Sequence, residues 1–514
     1  MARKWWTLTA VCAGVFMLLL DVTIVSVALP AIERGFSVPL SDLEWVISAY
    51  ALTLAAFLLT AGSLADRFGR RRMFAIGLGA FTSASLLCGL ASDATFLIIA
   101  RGVQGVGGAI MFATSLALLA DAFRGRERGV AFGVFGAVTG AAVAVGPVVG
   151  GGITTGLSWR WIFFVNLPIG VAALSVTLLR VAESRSPHAT TIDLPGFVTF
   201  TCALAALVVG LINSSADGWS AVPVIAPLAA AAALLCVFVI IEARSDAPML
   251  DLHLLQLPAF DGGLVAAFAI SASIFSLLIY LVLYLQNYLG LSPLGAGLRV
   301  LPLSLAIFAS AGVAGRLTVR VPRRLLIGSG FGLVGAGLLL MSGLTTSSGW
   351  AHLLPGMIVA GLGAGLVNVP LASTAVGVVE PARAGVASGI NSTLRQVGIA
   401  AGVAALGSIF AASIQSAVTA RLIGTALRSR ASELAHAVST GGAASAIAST
   451  PAPLRGLIVA AGRSAFVSGL DLIMIVGAVV AFAGSIGSLA LIRERDFVAT
   501  TTAEPVEGLM DVAS

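Results

Sequence analysis

Charge is what this sequence has least of. Of its 514 residues only 10% are Asp, Glu, Lys or Arg, against roughly 25% in an ordinary soluble domain. With 58% hydrophobic residues and a mean hydropathy of +1.04, the chain cannot have water as its main solvent. Lysine occurs once, as Lys4, so the net charge of +6 is arginine's. Those arginines fall in short loops between apolar runs and build no basic domain, which excludes a nucleic-acid partner. Cysteine is scarce: Cys12, Cys88, Cys202 and Cys236 stand singly in apolar stretches, without metal or redox spacing, and read as packing thiols. The four histidines, His188, His253, His352 and His436, are scattered. No Ser/His/Asp, Cys/His or metal-ligand cluster arises, and there is no Gly-Lys-Ser/Thr phosphate loop. The chain is therefore expected to be no enzyme, to hold no cofactor or metal, and not to be driven directly by ATP.

Long apolar runs are what it does have. Windows of about 20 residues, the length that spans a bilayer, predict helices near 7–30, 45–65, 73–92, 95–120, 130–152, 160–181, 194–213 and 221–241. Six more follow near 262–289, 295–315, 323–343, 351–378, 390–415 and 464–491. The first run is too long for a cleavable signal, carries Asp21, and is followed by many more spans. Fourteen spans place both termini on one side, and 19 of the 29 basic residues fall on that side. The positive-inside rule then makes both termini cytoplasmic. Arginine in place of lysine, with abundant Ala and Gly, points to a GC-rich, bacterial genome, so the membrane is the bacterial cytoplasmic (inner) membrane, crossed many times. The stretch 416–463 is the one long outer connection, rich in Ala, Ser and Thr with scattered charges, and is open to forming a surface helical hairpin. The tail 496–514 is polar, with the composition of a disordered segment.

Two halves of the sequence repeat. Gly105, Gly107 and Ala109 match Gly361, Gly363 and Gly365. The run Gly129-Val130-Ala131-Phe132-Gly133 matches Gly385-Val386-Ala387-Ser388-Gly389, and Gly146 matches Gly402, all 256 positions on. Upstream the offset is 250, pairing Gly62 with Gly312 and Arg70 with Arg320. The expected organisation is a six-helix bundle (1–190), inserted helices 7 and 8 (191–245), a second six-helix bundle (246–495) and a tail. Duplicated bundles suggest a transporter with a central site opened alternately to each side.

Four motifs sharpen this. Gly62-Ser63-Leu64-Ala65-Asp66-Arg67-Phe68-Gly69-Arg70-Arg71-Arg72, in the turn after helix 2, resembles the signature loop of the major facilitator superfamily. Leu97-Ile98-Ile99-Ala100-Arg101-Gly102-Val103-Gln104-Gly105 resembles its helix 4 motif. Gly140, Gly146, Pro147 and Gly150 belong to a run, 140–151, that is similar to the helix 5 motif of its drug antiporters. Leu20-Asp21-Val22-Thr23-Ile24-Val25-Ser26-Val27-Ala28-Leu29-Pro30 looks like their helix 1 motif, with Ser26 where asparagine is usual. With Trp159-Arg160-Trp161-Ile162-Phe163-Phe164-Val165-Asn166-Leu167-Pro168 and the helix count, the chain resembles the fourteen-helix EmrB/QacA-type drug/proton antiporters. The resemblance implies an all-α major facilitator fold and proton-coupled efflux of hydrophobic or cationic drugs, conferring antibiotic resistance. Export of one dedicated metabolite, antibiotic or lipid stays open as the alternative. The expected partners are a small-molecule substrate, protons and the lipid bilayer, with the protein acting as a monomer.

Proton coupling needs a group that is neutral in one state and charged in another, and a carboxylate in low dielectric is such a group. Asp21 is the first candidate. Asp471 is the second, with an interfacial position as its alternative. Arg101, costly within a span unless it snorkels to the interface, joins the proton path by family resemblance. The resemblance also makes Gly62, Asp66, Gly69, Arg70, Arg71 and Asp121 a cytoplasmic gate, with Asp66 set against the start of helix 13. A plain topology anchor is the other reading of that turn. For the substrate cavity the sequence offers Tyr280, Tyr284, Gln286, Asn368, Asn391 and Arg395. Packing is an equal reading for the two tyrosines, and Arg395 either meets anionic substrate groups or pairs with a carboxylate.

Overall fold

The computed structural model describes all residues except 1–2, 37–39, 124, 186–192, 246–247, 249–251, 319, 380–383, 423–424, 426, 432, 436–451 and 498–514. Among the described residues it is all helix and turn, with no strand. Fourteen long helices follow one another. The first eight are α1 (Arg3–Phe36), α2 (Leu40–Phe68), α3 (Arg70–Gly89), α4 (Ala94–Ala122), α5 (Gly125–Gly156), α6 (Trp161–Arg180), α7 (Leu194–Asp217) and α8 (Val222–Arg244). The second six are α9 (Pro258–Tyr288), α10 (Pro293–Leu317), α11 (Arg323–Met341), α12 (Trp350–Gly377), α13 (Ala384–Leu422) and α14 (Ala452–Leu491). Thirteen are long and apolar enough to cross a membrane, and α2 adds the shorter apolar stretch Trp45–Leu58. The chain is a multi-pass membrane protein. Its even helix count returns α14 to the face on which α1 begins, here called the terminal face; the other is the distal face.

Local chemistry sets the helix ends. Asp93 accepts from Phe96 N at 2.8 Å to cap α4, and this bond holds its carboxyl below the usual range. Asp193 caps α7 through Gly196 N, and Ser292 caps α10 through Gly295 N, each filling an orphan amide of the first turn. Proline inside α1, α5, α10 and α12 is tolerated because neighbouring helices and side chains satisfy the freed carbonyls. Within α9 two turns, Ser271–Phe275 and Tyr284–Tyr288, are π-helical, a widening that recurs at functional sites.

Glycines of the repeat make matched close approaches. A Cβ on Gly105 of α4 would lie 2.5 Å from the Tyr50 carbonyl of α2, and one on Gly361 of α12 would lie 2.5 Å from the Leu303 carbonyl of α10. Gly146 presses α5 on Thr23 of α1 as Gly402 presses α13 on Ala272 of α9. Small residues are what lets membrane helices approach this closely. Helices α7 and α8 pack on each other, and α7 also lies on α2 and α13.

The core is divided unevenly with depth. Toward the distal face Ile24 and Val27 of α1 and Leu97 of α4 join Leu283 of α9 and Val300 of α10 in one buried cluster. Toward the terminal face the described side chains separate. Leu8, Leu58, Phe74 and Phe123 form one cluster, and Phe260, Val378 and Ile390 belong to another. The long outer connection expected over 416–463 is shorter than that, because α13 runs on to Leu422 and α14 already begins at Ala452. The apolar residues Val418, Leu422, Leu427, Leu434 and Ile458 bury against one another there, which stabilises helix beyond the membrane. The tail from 498 and the loop centre 436–451 lie outside the described residues.

Candidate functional site

Gly105 and Gly107 draw α4 against α2 and α3, and the three-residue spacing of Arg101 and Gln104 then aims both side chains inward from one helix face. They meet Asp21 of α1. Arg101 Nη1 donates to Asp21 Oδ2 at 2.5 Å, and both side chains are only 1% exposed. Gln104 Nε2 donates to Asp21 Oδ1 at 3.0 Å, and Asn166 Nδ2 of α6 donates to the same oxygen at 3.1 Å. Gln104 Oε1 accepts from Arg101 Nη1 at 2.8 Å, and Arg101 Nε donates to the Val46 carbonyl at 3.0 Å. Ser85 of α3 accepts from Asn166 Nδ2 at 3.0 Å and donates to the Phe163 carbonyl at 2.9 Å. The guanidinium lies 4.2 Å from the Tyr50 ring centroid and 5.9 Å from that of Phe163, within cation–π range.

One ion pair is thus buried at the junction of α1, α2, α3, α4 and α6. Both charges are paired and hydrogen-bonded, the condition under which burial is tolerated. Protonating Asp21 would remove the attraction and leave the guanidinium uncompensated. The Tyr50 hydroxyl and Asn166 Oδ1 are buried with no hydrogen-bond partner among the described residues, so the pocket holds acceptor and donor capacity that the ionised pair does not use. Tyr50, Gln104 and Asn166 were not among the expected site residues. The signal for Gln104 was its spacing from Arg101, and for Asn166 its place as the lone amide in an aromatic run.

The other expected residues are dispersed. Asp471, half-buried on α14, accepts from Leu344 N at 3.0 Å in the distal turn before α12, apart from the Asp21–Arg101 pair. In the turn after α2, Gly69 has φ +107, and a Cβ there would lie 2.6 Å from Glu183 Oε1. That carboxylate accepts from Arg71 N at 3.0 Å and Arg72 N at 3.2 Å, capping α3. Arg70 N donates to the Ser184 carbonyl at 2.9 Å, and Arg71 Nη2 to Leu178 O at 2.7 Å. Glu183 is therefore a fourth residue that sequence reasoning missed, after Tyr50, Gln104 and Asn166. Gly62 has open space where a Cβ would stand, and Asp121 is exposed at the end of α4. The side chain of Asp66 lies outside the described residues.

The motif on α5 forms a seam with the second half. A Cβ on Gly140 would lie 3.1 Å from the Phe308 ring, and the Pro147 carbonyl fills the space a Cβ on Gly297 would need, whereas a Cβ on Gly150 would meet Ile24 O of α1, within the first half, at 3.1 Å. Leu294 N donates to Thr155 Oγ1 at 3.0 Å, and Gln286 Nε2 donates to the Val27 carbonyl at 2.8 Å. Both bonds join the halves on the distal side. Tyr280 and Tyr284 are both buried, with hydroxyls donating at 2.8 Å to the Val403 and Ser348 carbonyls. Asn391 Nδ2 donates to the Gly263 carbonyl at 3.3 Å. Asn368 is half-buried, and its Oδ1 has no hydrogen-bond partner among the described residues. Arg395 is half-buried, with its guanidinium 6.0 Å from the Phe275 ring centroid.

Comparison with known proteins agrees with this architecture. The sequence profile described as Major Facilitator Superfamily matches residues 11–403. The chain is 37% identical over 417 residues to the multidrug resistance protein Stp of Mycobacterium tuberculosis, covering 81% of this chain and 78% of that one. It is 32% identical to the tetracenomycin C resistance and export protein of Streptomyces glaucescens, covering 98% and 93%. Among solved structures, a bacterial homologue of the human lysosomal transporter Spinster, inward-facing and occupied, superposes with a TM-score of 0.63 at 15% identity, covering 96% and 98%.

Proposed function

The chain belongs to the Major Facilitator Superfamily, and on that premise we propose that it exports hydrophobic or cationic drugs from the cell in exchange for protons. It is a transporter in this reading and not an enzyme. The terminal face is cytoplasmic, as the positive-inside rule requires. The arrangement is open to that face, which accords with separate apolar clusters there and one shared cluster at the distal side. Residues 1–190 and 246–495 act as the two rocking bundles, with α7 and α8 as an inserted pair. The turn after α2, including Gly62, Asp66, Gly69, Arg70, Arg71 and Asp121, acts as the cytoplasmic gate.

The observation that carries the coupling is the buried Asp21–Arg101 pair. An ionised Asp21 holds α1 to α4 and α6. When Asp21 takes a proton the Coulomb attraction ends, while Gln104 and Asn166 carry both donor and acceptor atoms and can serve either form of the acid. Arg101, freed from its partner, must then find water or another acceptor, and that requirement favours opening toward the other side. Asp471, which accepts from Leu344 N in the distal turn, is the second candidate for coupling. The resistance and export functions named for the relatives support efflux over uptake. A dedicated exporter of one antibiotic is the second reading, favoured by relatives named for single compounds, such as tetracenomycin C and methylenomycin A. Purified protein in proteoliposomes, loaded with ethidium and given a pH jump, tests the first reading. Export must follow the imposed proton gradient without ATP; export indifferent to that gradient overturns it.

A further inference from the structure

The interior charges of the two halves are not treated alike. In the first half Arg101 has Asp21. In the second, Arg395 sits about 16 Å along α13 from its terminal end, at 1.5 Å per residue, so it lies well inside the span. Among the described residues no acidic side chain pairs with it, and its guanidinium lies 6.0 Å from the Phe275 ring centroid. Its helix places Asn391, Gly398 and Gly402 on the stripe toward α9, where a Cβ on Gly398 would lie 3.0 Å from Ser271 Cβ. Thr393, on the opposite side of α13 at the same level, donates to the Ala55 carbonyl of α2 at 3.2 Å, so this level of α13 lies at the contact between the halves. Across from it α9 is π-helical over Ser271–Phe275. The hydroxyl of Ser271, a residue 1% exposed, has no hydrogen-bond partner among the described residues. A guanidinium within a span, without a carboxylate and near an aromatic ring, shares its side of α9 with an unsatisfied hydroxyl that packs against the next turn of α13, at Gly398; what this arrangement lacks is an anion.

We propose that Arg395, Ser271 and Phe275 form an anion-recognising subsite of the transport cavity, taking the carboxylate, phenolate or enolate of a flat lipophilic acid. The proposal rests on the efflux reading above and adds a substrate class to it. The planar guanidinium grips an oxyanion pair bidentately, and Ser271 donates a third hydrogen bond. The body of the substrate lies along Phe275. Cationic drugs use the apolar walls and gain nothing from this subsite. A phosphate-bearing lipid headgroup offers the same oxyanion chemistry, and the experiment separates the two sources.

The full-length protein in detergent is titrated with naphthalene-2-carboxylate, its neutral amide and ethidium, by isothermal calorimetry. The carboxylate is expected to bind at least about tenfold more tightly than the amide, the worth of one charge-assisted hydrogen bond. Arg395→Gln should remove that preference while changing amide and ethidium affinity less than about twofold. Arg395→Lys should keep part of it, because a point charge remains without the fork, and Ser271→Ala should weaken the carboxylate alone. Equal affinity for carboxylate and amide in the unaltered protein overturns the subsite. So does an equal loss for all three ligands in Arg395→Gln. Displacement of the carboxylate by phosphatidylglycerol, with no movement of the carboxylate in proteoliposomes, reassigns the site to a lipid headgroup and overturns it too. Ethidium export in the same proteoliposomes reports separately on the efflux reading, which stands or falls there whatever the carboxylate does.

Discussion

Asn166 donates to the same oxygen of Asp21, Oδ1, that Gln104 does, across 145 positions of sequence. One oxygen of the carboxylate is thereby assigned to two amides and the other to Arg101. This division makes the coupling proposal testable residue by residue.

Asp21→Asn keeps the shape and most of the hydrogen bonds but cannot ionise. Gradient-driven export should fall to background while the protein stays folded in the membrane. Substrate counterflow, which needs no proton, should persist. Gradient-driven export at the normal rate in this variant would take Asp21 out of the mechanism.

Asn166→Ala removes one of the two amide donors to Oδ1 and the donor to Ser85. A hydrogen bond to a charged group is worth about 1.5–3 kcal/mol, so the paired arrangement should be weakened and gradient-driven export should fall roughly tenfold. The export rate in proteoliposomes checks this, and an unchanged rate would leave Asn166 a packing residue.

Gly69→Ala meets two obstacles, a left-handed φ of +107 and the Glu183 carboxylate in the space of the new methyl group. The cost should be about 1–2 kcal/mol from conformation alone. Glu183→Ala should cost about 0.5–2 kcal/mol as a lost cap. Combined, the two should cost less than their sum, because the second removes the obstruction met by the first. Thermal unfolding of the unaltered protein and the three variants in one detergent gives the coupling, and strict additivity would separate the two residues.

Gly297→Val puts a side chain where the Pro147 carbonyl now sits. Overpacking of this kind costs about 1–3 kcal/mol, and in the seam that cost falls only on the arrangement closed at the distal side. The population should move toward distal opening by about five- to 150-fold. Spin labels at the distal ends of α5 and α10 should report longer separations. Unchanged distances would show that the seam is not the distal gate.

The fourteen helices were legible because apolar runs of span length leave little choice of structure in a membrane. The repeat was legible because the glycines that permit close approach, Gly105 with Gly361 and Gly146 with Gly402, recur at one spacing. Asp21 and Arg101 stood out as charges inside spans. Their contact did not, since nothing local in α1 and α4 says that they face each other. Glu183 and Asn166 were harder still: an acid in a linker and an amide in an aromatic run acquire meaning only from partners more than 100 residues away. Tyr280 and Tyr284 show the converse, a shared helix face whose hydroxyls were committed to backbone carbonyls. The distal ends of α13 and α14 were legible only as a connection open to forming a helical hairpin, because alanine, serine and threonine leave the helix bounds ambiguous until the two ends pack together.

Those two long helices have a mechanical consequence. At 1.5 Å per residue the 39 residues of α13 and 40 of α14 make rods about 60 Å long, twice the hydrocarbon thickness of about 30 Å. A rod that pivots near the middle of the bilayer is a lever, and its free end travels farther than anything beside the fulcrum. A tilt of only about 10° moves a point about 30 Å from the pivot by roughly 5 Å. Conformational cycling hidden among buried side chains is thus magnified into water at Ala452 and Leu422, where a fluorophore, an antibody fragment or a clamp across the two tips can record it or stop it.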